Sequence, residues 1–206
     1  FYYYTMNPLP DLFALCCTVW YMFFLFFFFN REKIILLLLA AFFLGLATLA
    51  KLPFVIFGSV AAVYVFQQLL SNGMASIKKS TALIFVFTAF LLPAFFWYKW
   101  VIPSWGDNGV LKGVFSNSVS IERTIEIFKF HSFELLPKVL LNYAVVPFFL
   151  TGCFFMFKNK VYTKAKWSLL ASAGLAVILY FLLEYNMIDI IHDYYMLPFL
   201  IPLFFI

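Results

Sequence analysis

Long apolar runs broken by short polar turns set the pattern of this chain. Uninterrupted apolar stretches cover 11–29, 34–50, 54–70, 81–102, 139–157, 167–184 and 194 to the last residue. Most have the roughly 17–25 residues that a helix needs to cross a bilayer. Lipid offers no partner to backbone N–H and C=O groups, so each stretch is expected to be helical. Phe23 to Phe29 could read as a buried strand in another setting, but the length of the run around it favours a helix. The expectation is an all-α, polytopic transmembrane bundle of about seven spans, forming a single transmembrane domain over 1–206.

The turns between the runs carry the orientation. Taken alternately from the first turn, one side holds the loops 30–33, 71–80 and 158–166. These contain Arg31, Lys33, Lys78, Lys79, Lys158, Lys160, Lys164 and Lys166, with Glu32 as their only acid. The other acids, Asp11, Asp107, Glu122, Glu126, Glu134, Glu184, Asp189 and Asp193, fall on the opposite side. Short basic loops mark the cytoplasmic face, so the acidic side is read as the outer one. The net charge of +5 therefore describes topology. It is no nucleic-acid signal, because no basic groove or stacking platform accompanies it.

Composition strengthens the lipid reading. The chain is 66% hydrophobic and 11% charged, against about 25% charged residues in soluble domains. So much apolar surface cannot be buried within a soluble fold of this length. Cys16, Cys17 and Cys153 lie in apolar runs and match neither a metal-ligand nor a disulfide pattern. No HExxH, Gly-rich phosphate loop, GxSxG or CxxC is present, and no span holds a GxxxG pair. The chain opens on Phe1 without a signal-peptide pattern and stops within the apolar PFLIPLFFI. It is accordingly expected to be an internal piece of a longer polypeptide.

One connection is unusual. Residues 103–138 form a long stretch of mixed polarity on the expected outer face, where most loops are short. Within it, Ile121, Ile125 and Phe128, followed by Phe133 or Leu135, stand near helical spacing, predicting a short amphipathic helix at the membrane surface.

Polar residues at membrane depth are costly, so each is a candidate site. Asp11 follows Pro8 and Pro10 at the start of the first run, where it can equally serve as a helix cap. Lys51 stands between two apolar runs, and Pro53 closes the turn. A lysine beside a helix N-terminus makes an anion-binding corner, unless its ammonium simply snorkels to the headgroups. The stretch from Asn186 to Pro198 collects His192, Asp193, Tyr194 and Tyr195, with Asp189 three residues before the histidine. An interfacial tyrosine belt is the plain reading of that cluster. His131 is a lone histidine in the long connection. The acids sit at the edge of the spans rather than at mid-depth, which argues against a proton relay or ion path.

Three segments taken in order, NPLPDLFAL, GLATLAKLPFVIF and HDYYMLPFLIPL, resemble bacterial members of the protein O-mannosyltransferase family. That group includes the lipid A aminoarabinose transferases and the family 39-like glycosyltransferases. The resemblance implies a polytopic GT-C fold in the bacterial inner membrane. It also implies transfer of a sugar from a polyprenyl-phosphate carrier to a lipid, glycan or protein acceptor on the outer face. Asp11 matches the family's acidic residue of the second outer loop, in a supporting role. Lys51 matches the lysine that contacts the carrier phosphate. His192, Tyr194 and Tyr195 correspond to the segment that lines the cavity. The family's catalytic base belongs to the first outer loop, which the resemblance puts before residue 1. Some relatives use a divalent metal, for which no ligand set is visible in this chain.

The chemistry and the resemblance meet on one point. Inverting displacement at the anomeric carbon needs a cation on the departing phosphate and a carboxylate to take the acceptor's proton. The other reading is a transporter or flippase for a lipid-linked sugar, which broken helices and internal repeats would favour.

Overall fold

The computed structural model describes residues 10–105, 120–134, 138, 143, 145–159, 163–188 and 193–201. Among the described residues the regular structure is helical, with no strand. α1 spans Pro10–Arg31 and α2 spans Ile34–Ala50. After Lys51, a 3-10 segment, Leu52–Gly58, leads directly into α3, Ser59–Asn72. α4 covers Ile77–Phe96 and continues as a π-helical turn, Trp97–Val101. α5 is Ile121–Phe130, α6 Val145–Lys158 and α7 Lys164–Ile188. A 3-10 segment, Asp193–Leu200, with Pro198 inside it, follows.

Four helical stretches are long and apolar enough to cross a membrane: Pro10–Arg31, Leu52–Asn72, Ile77–Ser104 and Lys166–Glu184. α2, with 17 residues, and α6, with 14, are apolar but shorter. At 1.5 Å per residue, α6 spans only about 21 Å of a core about 30 Å thick. The run expected from 139 is thus described as helix only from Val145. The terminal run is a 3-10 segment as far as Leu200, and 202–206 lie outside the described residues.

α1 and α2 form a tight antiparallel hairpin. Glu32 closes it at φ +51°, and its N–H returns to the Phe28 carbonyl at 2.8 Å. α1 is apolar all round, yet it buries one stripe: Asp11, Ala14, Leu15, Thr18, Tyr21, Met22, Leu25 and Phe28. Phe13, Trp20 and Phe23 face outward. The stripe repeats every three to four residues, as a helix–helix seam must. The buried positions of α2 are mostly small, Ala40, Ala41, Gly45, Ala47 and Thr48 among them. α2 also meets α4, so closely that a Cβ on Gly45 would lie 2.5 Å from the Phe90 carbonyl oxygen. Small residues let backbones approach where lipid provides no hydrophobic drive.

α7 packs on α3 and on the 3-10 segment after Lys51. Gln67 of α3 donates a hydrogen bond to Ser168 of α7. The predicted helix in the long connection is α5, seated on α7 through Phe128, whose ring meets Phe181 edge-on at 5.4 Å. Ile127 is buried, and Ile121, Ile125 and Phe128 form an exposed apolar stripe.

Candidate functional site

The chain reverses direction at Lys51, and the break there builds the site. Lys51 has φ −151° and ψ 113°, so α2 ends in one extended residue. Pro53 then occupies the first turn of the next segment, where its missing N–H costs nothing. The break sets the lysine side chain among the start of α1, the end of α7 and the Leu52–Gly58 segment.

There the Lys51 ammonium donates a hydrogen bond to Asp11 Oδ1, and Glu184 Oε2 lies 3.8 Å from the same nitrogen. The Tyr180 ring, one turn before Glu184 on the same face of α7, has its centroid 5.9 Å from that nitrogen. Phe54 packs edge-on against Tyr180 at 5.3 Å and walls the site from the Leu52–Gly58 side. The groups around the ammonium are withdrawn from the surface: Asp11 is 3% exposed, Glu184 1%, and Tyr180 and Phe54 0%, while the Lys51 side chain keeps 13%.

Two carboxylates therefore share one ammonium in a buried corner. Burial pulls Lys51 below the ordinary lysine range, while the Asp11 and then the Glu184 carboxylate pull against it. The Glu184 contact is at the long limit of an ion pair. Among the described residues, no donor reaches its other oxygen, Oε1. A buried carboxylate oxygen without a donor is expensive, and such oxygens normally find a partner. The arrangement can therefore hold an anion on the ammonium and accept a hydrogen bond from a hydroxyl on the carboxylate.

The sequence-predicted residues fare differently. Asp11 and Lys51, forty residues apart, meet directly. Asp11 lies within the first turn of α1, behind Pro10, where the helix dipole favours it, and its side chain is engaged by Lys51. The Lys51 ammonium is engaged by these carboxylates, with 13% of its side chain exposed. His192 and Asp189 lie outside the described residues. Of Tyr194 and Tyr195, the backbone alone is described, in the 3-10 segment Asp193–Leu200. His131 is buried at the end of α5. Among the described residues, no three of His, Cys, Asp or Glu gather to hold a metal ion.

Glu184 is the residue that sequence reasoning misses. The sequence reading places it at the end of the 167–184 run among the outer-face acids and gives it no site role; in the structure α7 runs on to Ile188 and Glu184 faces Lys51. One signal points to it: no other charge interrupts the run from Trp167, and Tyr180 precedes it by one turn. Comparison of the chain with protein-family models, with curated proteins and with solved structures finds no match.

Proposed function

We propose that this chain forms part of a membrane glycosyltransferase of GT-C type. It moves a sugar from a polyprenyl-phosphate carrier to a hydroxyl-bearing acceptor on the outer face of a bacterial inner membrane. The single observation that carries this reading is the part-buried Lys51 ammonium shared by the buried Asp11 and Glu184 carboxylates at one end of the apolar bundle.

The chemistry follows from that corner. When the glycosidic bond to phosphate breaks, charge grows on the departing phosphate oxygen, and a fixed ammonium in a dry site stabilises it strongly. A phosphate oxygen closing on Lys51 takes the place of the long Glu184 contact, while Asp11 keeps the ammonium charged and in position. Glu184 is then left with two oxygens to accept hydrogen bonds from sugar or acceptor hydroxyls. His192, Tyr194 and Tyr195 are assigned to the same cavity by the motif resemblance.

The test uses membranes containing the protein, supplied with radiolabelled polyprenyl-phosphate sugars. Wild type is expected to pass label to a lipid, glycan or protein acceptor. Lys51→Ala should lower transfer by about 10²–10³, the effect typical of losing one charge-stabilising group. Asp11→Asn should lower it less. Consumption of no carrier sugar, with labelled lipid changing leaflet instead, would replace the transferase by a lipid-linked sugar flippase.

A further inference from the structure

The Lys51 break leaves backbone groups that must be satisfied without water. In an unbroken helix, each N–H finds the carbonyl four residues back; a break in an apolar setting strands them. Here the N–H groups from Lys51 to Phe54 are all accounted for. Lys51 N–H donates to Ala47 O at 2.9 Å and Phe54 N–H to Lys51 O at 3.1 Å, and Pro53 has none. The remaining one, Leu52 N–H, donates to the Tyr98 hydroxyl at 3.1 Å. That hydroxyl in turn donates to Leu49 O at 3.3 Å.

One phenol oxygen thus bridges both sides of the break, accepting from the segment that begins and donating to the helix that ends. A hydroxyl is suited to this, being donor and acceptor at one atom. Tyr98 reaches the break because it continues the buried stripe of α4, Leu83, Phe87 and Ala94, at helical spacing. Its neighbours Lys99 and Trp100 are exposed and pack on each other, with the Lys99 ammonium 5.0 Å from the indole centroid. Tyr98 sits in the π-helical turn Trp97–Val101, a departure from regular helix that often accompanies functional positions.

We infer that Tyr98 is a positioning residue: its hydroxyl clasps the helix break between Leu49 and Leu52 and so holds Lys51 extended between Asp11 and Glu184. Tyr98 itself touches neither carboxylate nor ammonium through any of these bonds; it acts through the backbone. Its consequence for sugar transfer rests on the function proposed above, while its effect on Lys51 does not.

The experiment separates the two. Full-length protein in detergent micelles, without substrate, is treated with an amine-reactive reagent, and modification of Lys51 is followed by mass spectrometry. Tyr98→Phe keeps the ring and removes the clasp, and Lys51 should react about tenfold faster than in wild type. Thr18→Val, which removes a buried hydroxyl that bonds only within α1, should leave the Lys51 rate unchanged. Equal Lys51 rates in wild type and Tyr98→Phe overturn the inference. Hydrogen exchange at Leu52 in the wild type gives a check that needs no variant. Protection like that of the flanking helices is expected, and exchange at the rate of an open amide overturns the clasp. In the transfer assay, Tyr98→Phe should lose about tenfold in kcat/KM in parallel with the Lys51 rate. A wild type that transfers no sugar removes the enzyme reading and leaves the labelling result standing.

Discussion

Lys51 and Glu184 face each other across the join between the second and last long helices, with Nζ 3.8 Å from Oε2 and Asp11 on the same nitrogen. Removing the shared cation strands two buried carboxylates at once. Loss of one partner from a buried pair typically costs about 3–5 kcal/mol. Lys51→Met should therefore lower the thermal stability of the protein in micelles by an amount in that range. Lys79 pairs with Glu32 at the opposite end of the bundle, where the two side chains are 29% and 63% exposed. Lys79→Met should cost about 1 kcal/mol or less, because exposed pairs are screened by solvent. Equal melting losses for the two variants would falsify the buried corner.

The α2–α4 contact makes a second, sharper comparison. A methyl on Gly45 meets the Phe90 carbonyl at 2.5 Å, and backbone cannot swing aside as a side-chain tip can. Gly45→Ala should cost about 1–3 kcal/mol through overpacking. A methyl on Gly174, within α7, would meet nothing within 4 Å. Gly174→Ala should be neutral or stabilise by up to about 1 kcal/mol, the helix propensity difference. Parallel thermal melts of the two variants decide the point, and a larger loss at Gly174 contradicts this packing.

Glu32 turns the chain between α1 and α2 in the left-handed region, φ +51°. A side chain there costs about 1–2 kcal/mol that glycine does not incur. Glu32→Gly should raise the melting temperature despite losing the exposed contact with Lys79. Glu32→Val, β-branched and equally uncharged, should lower it. The two variants shifting the same way would mean that the charge, and not the backbone, governs this turn.

Gln67 and Ser168 link α3 to α7 by a side-chain hydrogen bond. Interhelical bonds of this kind in membrane bundles average about 0.6 kcal/mol. Ser168→Ala should cost about that much, and Gln67→Leu added to it should recover part of the loss. A double-mutant cycle with zero coupling energy would show that the bond contributes nothing to the α3–α7 contact.

Much of the architecture is legible in the residue pattern alone. The apolar runs at 11–29, 34–50, 54–70, 81–102 and 167–184 are helices within a few residues of those limits. The break at Lys51 follows from Pro53, and the short amphipathic α5 follows from the spacing of Ile121, Ile125 and Phe128. Backbone hydrogen bonding in lipid leaves so little choice of secondary structure that hydropathy alone decides it. The inward faces are another matter. In α1, Phe13, Trp20 and Phe23 are exposed while Ala14, Thr18 and Asp11 are buried beside Leu15, Met22, Leu25 and Phe28, so hydrophobicity does not separate the inward positions from the outward ones. Lipid is as apolar as the interior, and packing is decided by shape and polar partners instead. The close approach at Gly45 is hidden for the same reason, since no GxxxG pair announces it.

The sequence by itself determined that Asp11 and Lys51 are costly residues at helix ends, because charge in an apolar run has to be accounted for wherever the chain goes. Only the tertiary structure decided that they answer each other, that Glu184 joins them, and that Tyr98 bonds to both sides of the break between them. Those contacts join α1, α2, α4 and α7, and their energies come from atoms within a few ångströms. Local spacing carries no record of which helices become neighbours.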